Sequence, residues 1–165
     1  MNKMYIIPLL LLCSNLLHSQ KSIDKVLKTY NNNSVPYISS QELSKLDNNI
    51  ILLDAREANE YEVSHLKNAI FVGFDKFDSN KTTELLKDKN KKIIVYCSLG
   101  VRSEKIGEKL LKLGYTNVYN LYGGIFDWKN NNFAVVDSTN RATENVHAFS
   151  KSWGKYLTKG NKIYK

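Results

Sequence analysis

The segment KKIIVYC, residues 91 to 97, is apolar at four successive positions, Ile93 to Tyr96, before it reaches a cysteine. A strand of this composition has no polar face to turn to water and must be covered on both sides, as an inner strand of a parallel sheet is. NIILLD, ending at Asp54, repeats the pattern, and AIFVGF (69–74) and YTNVYNL (115–121) read as further strands. Between them lie stretches with helical spacing: ANEYEVSHL (58–66), KTTELLKD (81–88) and RSEKIGEKLLKLG (102–114). In the last of these, Ile106, Leu110, Leu111 and Leu113 form an apolar face and Gly114 is a C-terminal stop. Strands alternating with helices predict an α/β domain, a central parallel sheet with helices on both faces. Ser39 or Ser40 with Glu42 predicts the cap of an earlier helix, YGG (122–124) a turn, and IFDWKNN (125–131) a short closing helix.

A chain of 165 residues has room for one domain of ordinary size with extensions. Lys3 followed by MYIIPLLLLC and then by polar SNLLHSQK has the three regions of a signal peptide, too short in its apolar part for a good membrane span. The expected organisation is therefore a signal over 1–19 cut before Gln20, a linker or short helix over 20–38, a domain over 39–132 and a C-terminal extension over 133–165. Export to the periplasm or outside the cell follows, with no stable span in the mature chain. Acylation at Cys13 is the lesser reading, because Leu12 stands where lipoprotein signals place a small residue. In the extension, Val146, Phe149, Trp153 and Tyr156 have the spacing of one helical stripe, which predicts a helix from about Ala142 to Leu157 packing on the domain.

The net charge of +8 is spread over scattered lysines, and arginines stand only at Arg56, Arg102 and Arg141, so nucleic acid is not an expected partner. His18, His65 and His147 lack ligand spacing and no metal is expected. Neither a P-loop nor a dinucleotide fingerprint is present, and no cofactor is expected.

Cys97 is the only cysteine left once the signal is removed, and it closes a central strand. Ligands in open α/β sheets bind beyond those strand ends. The loop Ser98, Leu99, Gly100, Val101 and Arg102 then curls into a helix N-terminus, where backbone N–H groups and the helix dipole favour an anion. The first anion available is the thiolate itself, whose pKa should fall below that of a free thiol and make Cys97 a nucleophile. Arg102 places a positive charge at the rim. The opposing reading, inert packing, has weight because free cysteines are commonly buried.

Three segments, LLDAREANEYEVSHLKNAI (52–70), IIVYCSLGVRSEKIGEKLLKLGYTNVYNL (93–121) and GGIFDW (123–128), resemble the rhodanese-like sulfurtransferases in order and spacing. The closing ENVHAFSKSWGKYL resembles the tail of small exported rhodanese-like proteins of flavobacterial type. The resemblance implies that Cys97 takes a sulfane sulfur from a small anionic donor such as thiosulfate, or from a persulfide, and passes it to a thiol or to cyanide. It also implies supporting roles for Asp54, Arg56, Glu60 and His65, with the last holding a loop and not activating the thiol. Ser64 and Asn68 depart from glycines frequent in the family. Ser98 stands where arginine is frequent, which removes a positive charge and weakens the expectation of thiosulfate as donor.

Two alternatives stay open at this point. One is a rhodanese-like module that binds a partner or senses redox state without catalysis. The other is a cysteine phosphatase or arsenate reductase; those enzymes carry C-x5-R, whereas here the arginine comes one residue earlier and Ser103 stands in its place.

Overall fold

The computed structural model describes residues 23–165 apart from Asn48, so the expected signal and its cleavage site lie outside the described residues. A helix over residues 23–30 (α1) precedes a short strand, β1 (Tyr37–Ile38), and a four-residue helix, α2 (Ser40–Leu43). Ser39 caps α2, accepting a hydrogen bond from the Glu42 N–H while Glu42 accepts one from the Ser39 N–H, the reciprocal box expected from the sequence. There follow β2 (Ile51–Asp54), α3 (Ala58–Val63), β3 (Ile70–Phe71), α4 (Ser79–Leu85), β4 (Ile93–Tyr96), α5 (Val101–Lys112), β5 (Val118–Leu121) and α6 (Gly124–Asn130).

Strands β1 to β5 form one sheet in the order β1-β5-β4-β2-β3, and every pairing in it is parallel. The order places β4 in the middle, which accounts for its lack of a polar face: Ile94 and Tyr96 enter the core on one side, Ile93 and Val95 the core on the other. The first core is completed by Ile23, Val26 and Leu27 of α1, Leu43 of α2, and Ile125 and Phe126 of α6; the second by Ile106 and Leu110 of α5. The sheet is therefore covered by helices on both faces, as the alternating pattern predicted. Helix α1 belongs to the core, since Ile23 is fully buried.

The helix expected from Ala142 to Leu157 does not form. That stretch contains β7 (Ala142–Thr143), which pairs antiparallel with β6 (Val135–Val136), and β8 (Asn145–His147), which pairs in parallel with β9 (Asn161–Ile163). Only one helical turn, α7 (Lys151–Gly154), is present, capped by the Ser150 hydroxyl, which accepts from the Trp153 N–H. The physical reason lies in the backbone: Phe149, within that stretch, has a positive φ of 61°, which a right-handed helix cannot contain. The supposed stripe therefore divides, with Val146 fully buried, Trp153 and Tyr156 half-buried, and Phe149 48% exposed. The tail is nonetheless anchored, because Val146, Ala148 and Leu157 lie in the first core. No helix among the described residues is long and apolar enough to cross a membrane.

Candidate active site

Cys97 follows directly on β4, and the loop 98–100 carries the chain into α5. Backbone hydrogen bonds hold that loop from below: the Ile125 N–H donates to the Cys97 carbonyl at 2.9 Å and the Phe126 N–H to the Ser98 carbonyl at 3.2 Å. This seating explains Gly124 at the start of α6, where a Cβ would stand 2.2 Å from the Cys97 carbonyl oxygen. The Gly123–Gly124 turn thus serves the cysteine loop.

Gly100 turns the loop with φ of 104°, a conformation natural to glycine alone. Its carbonyl is fastened by the Asn120 and Asn31 side-chain amides at 2.8 and 2.9 Å, and its N–H donates to Cys97 Sγ at 3.1 Å. The Ser103 hydroxyl stands 3.5 Å from the same sulfur and 2.7 Å from Asn120 Oδ1. Cys97 is 2% exposed. Burial pushes its thiol pKa up, but the positive charge of Arg102 and the donors Ser103 and Gly100 outweigh burial and set it below the ordinary value. This is the environment of an ionisable thiol, unlike that of an inert core cysteine.

Arg102 does not stand free at the rim. Its Nη1 and Nη2 donate to Glu60 Oε2 and Oε1 at 2.6 and 2.8 Å, and Nη2 also reaches Ser98 Oγ at 2.9 Å. Ser98 in turn donates to Glu60 Oε1 at 2.8 Å. Glu60 is 1% exposed and also accepts from the Glu57 N–H, so one carboxylate caps α3, orients Ser98 and holds Arg102 beside the thiol. Burial opposes its charge, yet Arg102 and the other donors keep its pKa below the usual glutamate value. The sequence offered Glu60 only as a supporting match; its contact with the cysteine loop joins positions 38 residues apart and has no local signal.

The other supporting residues lie in separate arrangements. Arg56 donates from Nε and Nη2 to Asp54, at 2.7 Å for the shorter contact, and from Nη2 to the Ser64 carbonyl at 2.6 Å, with all three residues fully buried. The Asp54 charge raises the Arg56 pKa further above its ordinary value against the effect of burial. His65 stacks on Tyr61 with ring centroids 3.9 Å apart, its Nδ1 is 3.1 Å from the Tyr61 carbonyl, and its backbone pairs with that of Val136. These contacts bind a loop and a strand to the domain.

Two residues missed as site candidates come from the C-terminal extension. Phe149 and Trp153, with Cys97 and the loop residues, line a cavity of about 100 Å³ in front of the thiol. The Phe149 ring lies 5.0 Å from the Arg102 guanidinium. The only sequence signal for them was aromatic spacing, which was read as packing.

A buried cysteine closing the middle strand of a five-stranded parallel sheet, within a loop seated on α6, defines a class that likeness to known proteins bears out. The Rhodanese-like domain matches residues 39–131, and the chain belongs to that family. Among solved structures, a rhodanese-related protein from Thermoplasma volcanium is 27% identical with a TM-score of 0.53, over 61% of this chain and 97% of that one. A thiosulfate sulfurtransferase from Pseudomonas aeruginosa shares the fold, with a TM-score of 0.60 at 22% identity over 84% of this chain and 26% of that one. Curated relatives include the tRNA uridine(34) hydroxylases of Hamiltonella defensa subsp. Acyrthosiphon pisum, 39% identical over 56% of this chain, and of Legionella pneumophila (strain Corby), 36% identical over 64%. The chain spans 27% and 43% of the lengths of these two relatives.

Proposed function

We propose that the protein is a sulfurtransferase that works through a persulfide on Cys97. The observation that carries this reading is the pairing of a lowered thiol pKa with the Gly100 N–H aimed at the sulfur at 3.1 Å. In the first half-reaction the Cys97 thiolate attacks the outer sulfur of a donor such as thiosulfate or a persulfide. A new S–S bond forms, the donor's S–S bond breaks, and its electron pair leaves on the remainder, sulfite in the case of thiosulfate. In the second, a thiolate or cyanide attacks the same outer sulfur and the electron pair returns to Cys97. The Gly100 N–H that holds the thiolate is placed to hold the persulfide, so the two displacements share one preorganised donor. A phosphatase reading is weakened by Arg102, whose two terminal nitrogens already bind Glu60 and Ser98.

The test is intact mass after incubation with sulfane-sulfur donors, beside a Cys97→Ser variant. A gain of about 32 mass units per transferred sulfur on the wild type alone, removed by cyanide, is the expected outcome. Absence of any adduct from thiosulfate or organic persulfides, with the thiol still open to alkylation, would leave the domain a binding or redox-sensing module. Export completes the proposal and is supported by the charged, apolar and polar order of residues 1–19. N-terminal sequencing of protein from its native cells should find a start at Gln20, and a start at Met1 would overturn this part.

A further inference from the structure

The walls of the cavity before Cys97 come from two sources. The cysteine loop supplies the floor, and Phe149 and Trp153 supply the opposite side. Both aromatics lie beyond residue 131, where the match to the family ends, so this side of the site belongs to the extension.

Phe149 is held at the cavity against its backbone preference. It has φ of 61°, and the Ser150 N–H donates across it to the Ala148 carbonyl at 2.7 Å, closing a three-residue turn of the rare, strained hand. The Phe149 N–H is tied to His147 Nδ1 at 3.2 Å and the Ala148 N–H to the Ile163 carbonyl at 2.7 Å, so the β8–β9 pair enforces the turn. Strain of this kind persists where the surroundings over-determine it, and it concentrates at ligand sites. Trp153 is steadied from behind by Tyr30 of α1, with ring centroids 6.0 Å apart, and meets the Phe149 ring edge-on at 6.4 Å.

The polar groups around the cavity are turned away from its interior. Ser98 donates to Glu60, and Arg102 is engaged by Glu60 and Ser98, so the charge nearest the thiol is already balanced and the surface facing a ligand is almost entirely apolar. A bare dianion entering this space would lose hydration without meeting a free cation. A donor that carries an apolar group beside its transferable sulfur would instead bury that group against two rings.

Building on the sulfurtransferase reading, we propose that Phe149 and Trp153 form a specificity wall that selects sulfane-sulfur donors bearing an apolar, ring-sized group. For an aryl thiosulfonate, the Cys97 thiolate attacks the terminal sulfur, the S–S bond of the donor breaks, and the electron pair leaves on the aryl sulfinate. Cys97 is left as the persulfide.

The test compares benzenethiosulfonate with methanethiosulfonate, two monoanions that differ in the apolar group, with cyanide as acceptor and thiocyanate as readout. Each kcat/KM is divided by the donor's rate with a small free thiolate in solution, which removes intrinsic reactivity. The wild type should prefer the phenyl donor by about tenfold after this correction. Phe149→Gly, which removes the ring while suiting the left-handed backbone, should bring the ratio close to one, and Phe149→Tyr should retain it. Trp153→Ala should lower it as well, and Phe149→Gly decides alone if that variant does not fold. A wild-type ratio near one, or an unchanged ratio in Phe149→Gly, overturns the wall while sulfur transfer stands. Absence of thiocyanate from both thiosulfonates and from thiosulfate overturns the wall, and if intact mass also shows no sulfur gained on Cys97 from these donors or from an organic persulfide, the sulfurtransferase reading falls with it.

Discussion

Among the described residues, two buried carboxylate–guanidinium pairs have the same chemistry and different consequence. Asp54–Arg56 spans two residues, is closed to solvent on both sides, and ends on the Ser64 carbonyl. Glu60–Arg102 spans 42 residues, leaves the arginine side chain 16% exposed, and ends on Ser98 and beside Cys97. In the first pair Nη2 of the arginine also fastens a backbone carbonyl, so the pair ties a loop to the end of β2. In the second, the surplus donor and the residual field reach the cysteine loop and lower the thiol pKa. An ion pair thus acts as structure or as part of a site according to where its unspent hydrogen-bonding capacity points.

The largest expected effect comes from breaking the enclosed pair. Asp54→Ala leaves the Arg56 guanidinium buried without its counter-charge and should cost about 3–5 kcal/mol in urea unfolding. Adding Arg56→Met should recover much of that loss, because replacing both partners by apolar groups removes the desolvation penalty. The contrast between the two pairs would collapse if Asp54→Ala moved the alkylation profile of Cys97 without changing stability.

A smaller loss of stability, about 1–3 kcal/mol, is expected for Arg102→Met, which strands Glu60 without its charged partner. This variant should carry the functional signature that the first lacks. The thiolate loses the positive charge that favours it, so the pH profile of Cys97 alkylation should move to higher pH and reactivity at neutral pH should fall. An unmoved profile would mean that Gly100 and Ser103 alone set the thiol.

The smallest effect lies in acid. The folded pKa of Glu60 is lowered, so its contribution to stability is fully present above the ordinary glutamate value of about 4.3 and is lost as pH falls through the folded value. Glu60→Gln should therefore show a shallower decline of stability below that pH than the wild type. Equal slopes would show that the Arg102 pair contributes nothing to the acid limb.

The elements differ in how far they were legible. Strand β4 was readable because four apolar residues in a row admit one environment, and α5 because its apolar face and Gly114 stop are local signals. The capping box of Ser39 and Glu42 was readable for the same reason. The extension was misread because apolar spacing does not report φ, and the turn at Phe149 depends on pairing between β8 and the distant β9. Arg102 was read as a free charge because its partner, Glu60, is remote in sequence.

By itself, the sequence determined a parallel sheet covered on both faces, a cysteine at the carboxyl end of its middle strand, and a loop short enough to enter a helix at once. Periodicity and adjacency are properties of neighbours along the chain, so these could be read from the residues. Only the tertiary structure decided which carboxylate meets Arg102, which amides fasten Gly100, and that Phe149 and Trp153 close the space before Cys97. Those contacts join residues far apart in the chain, and their geometry exists only once the sheet order and the seating of the extension are in place.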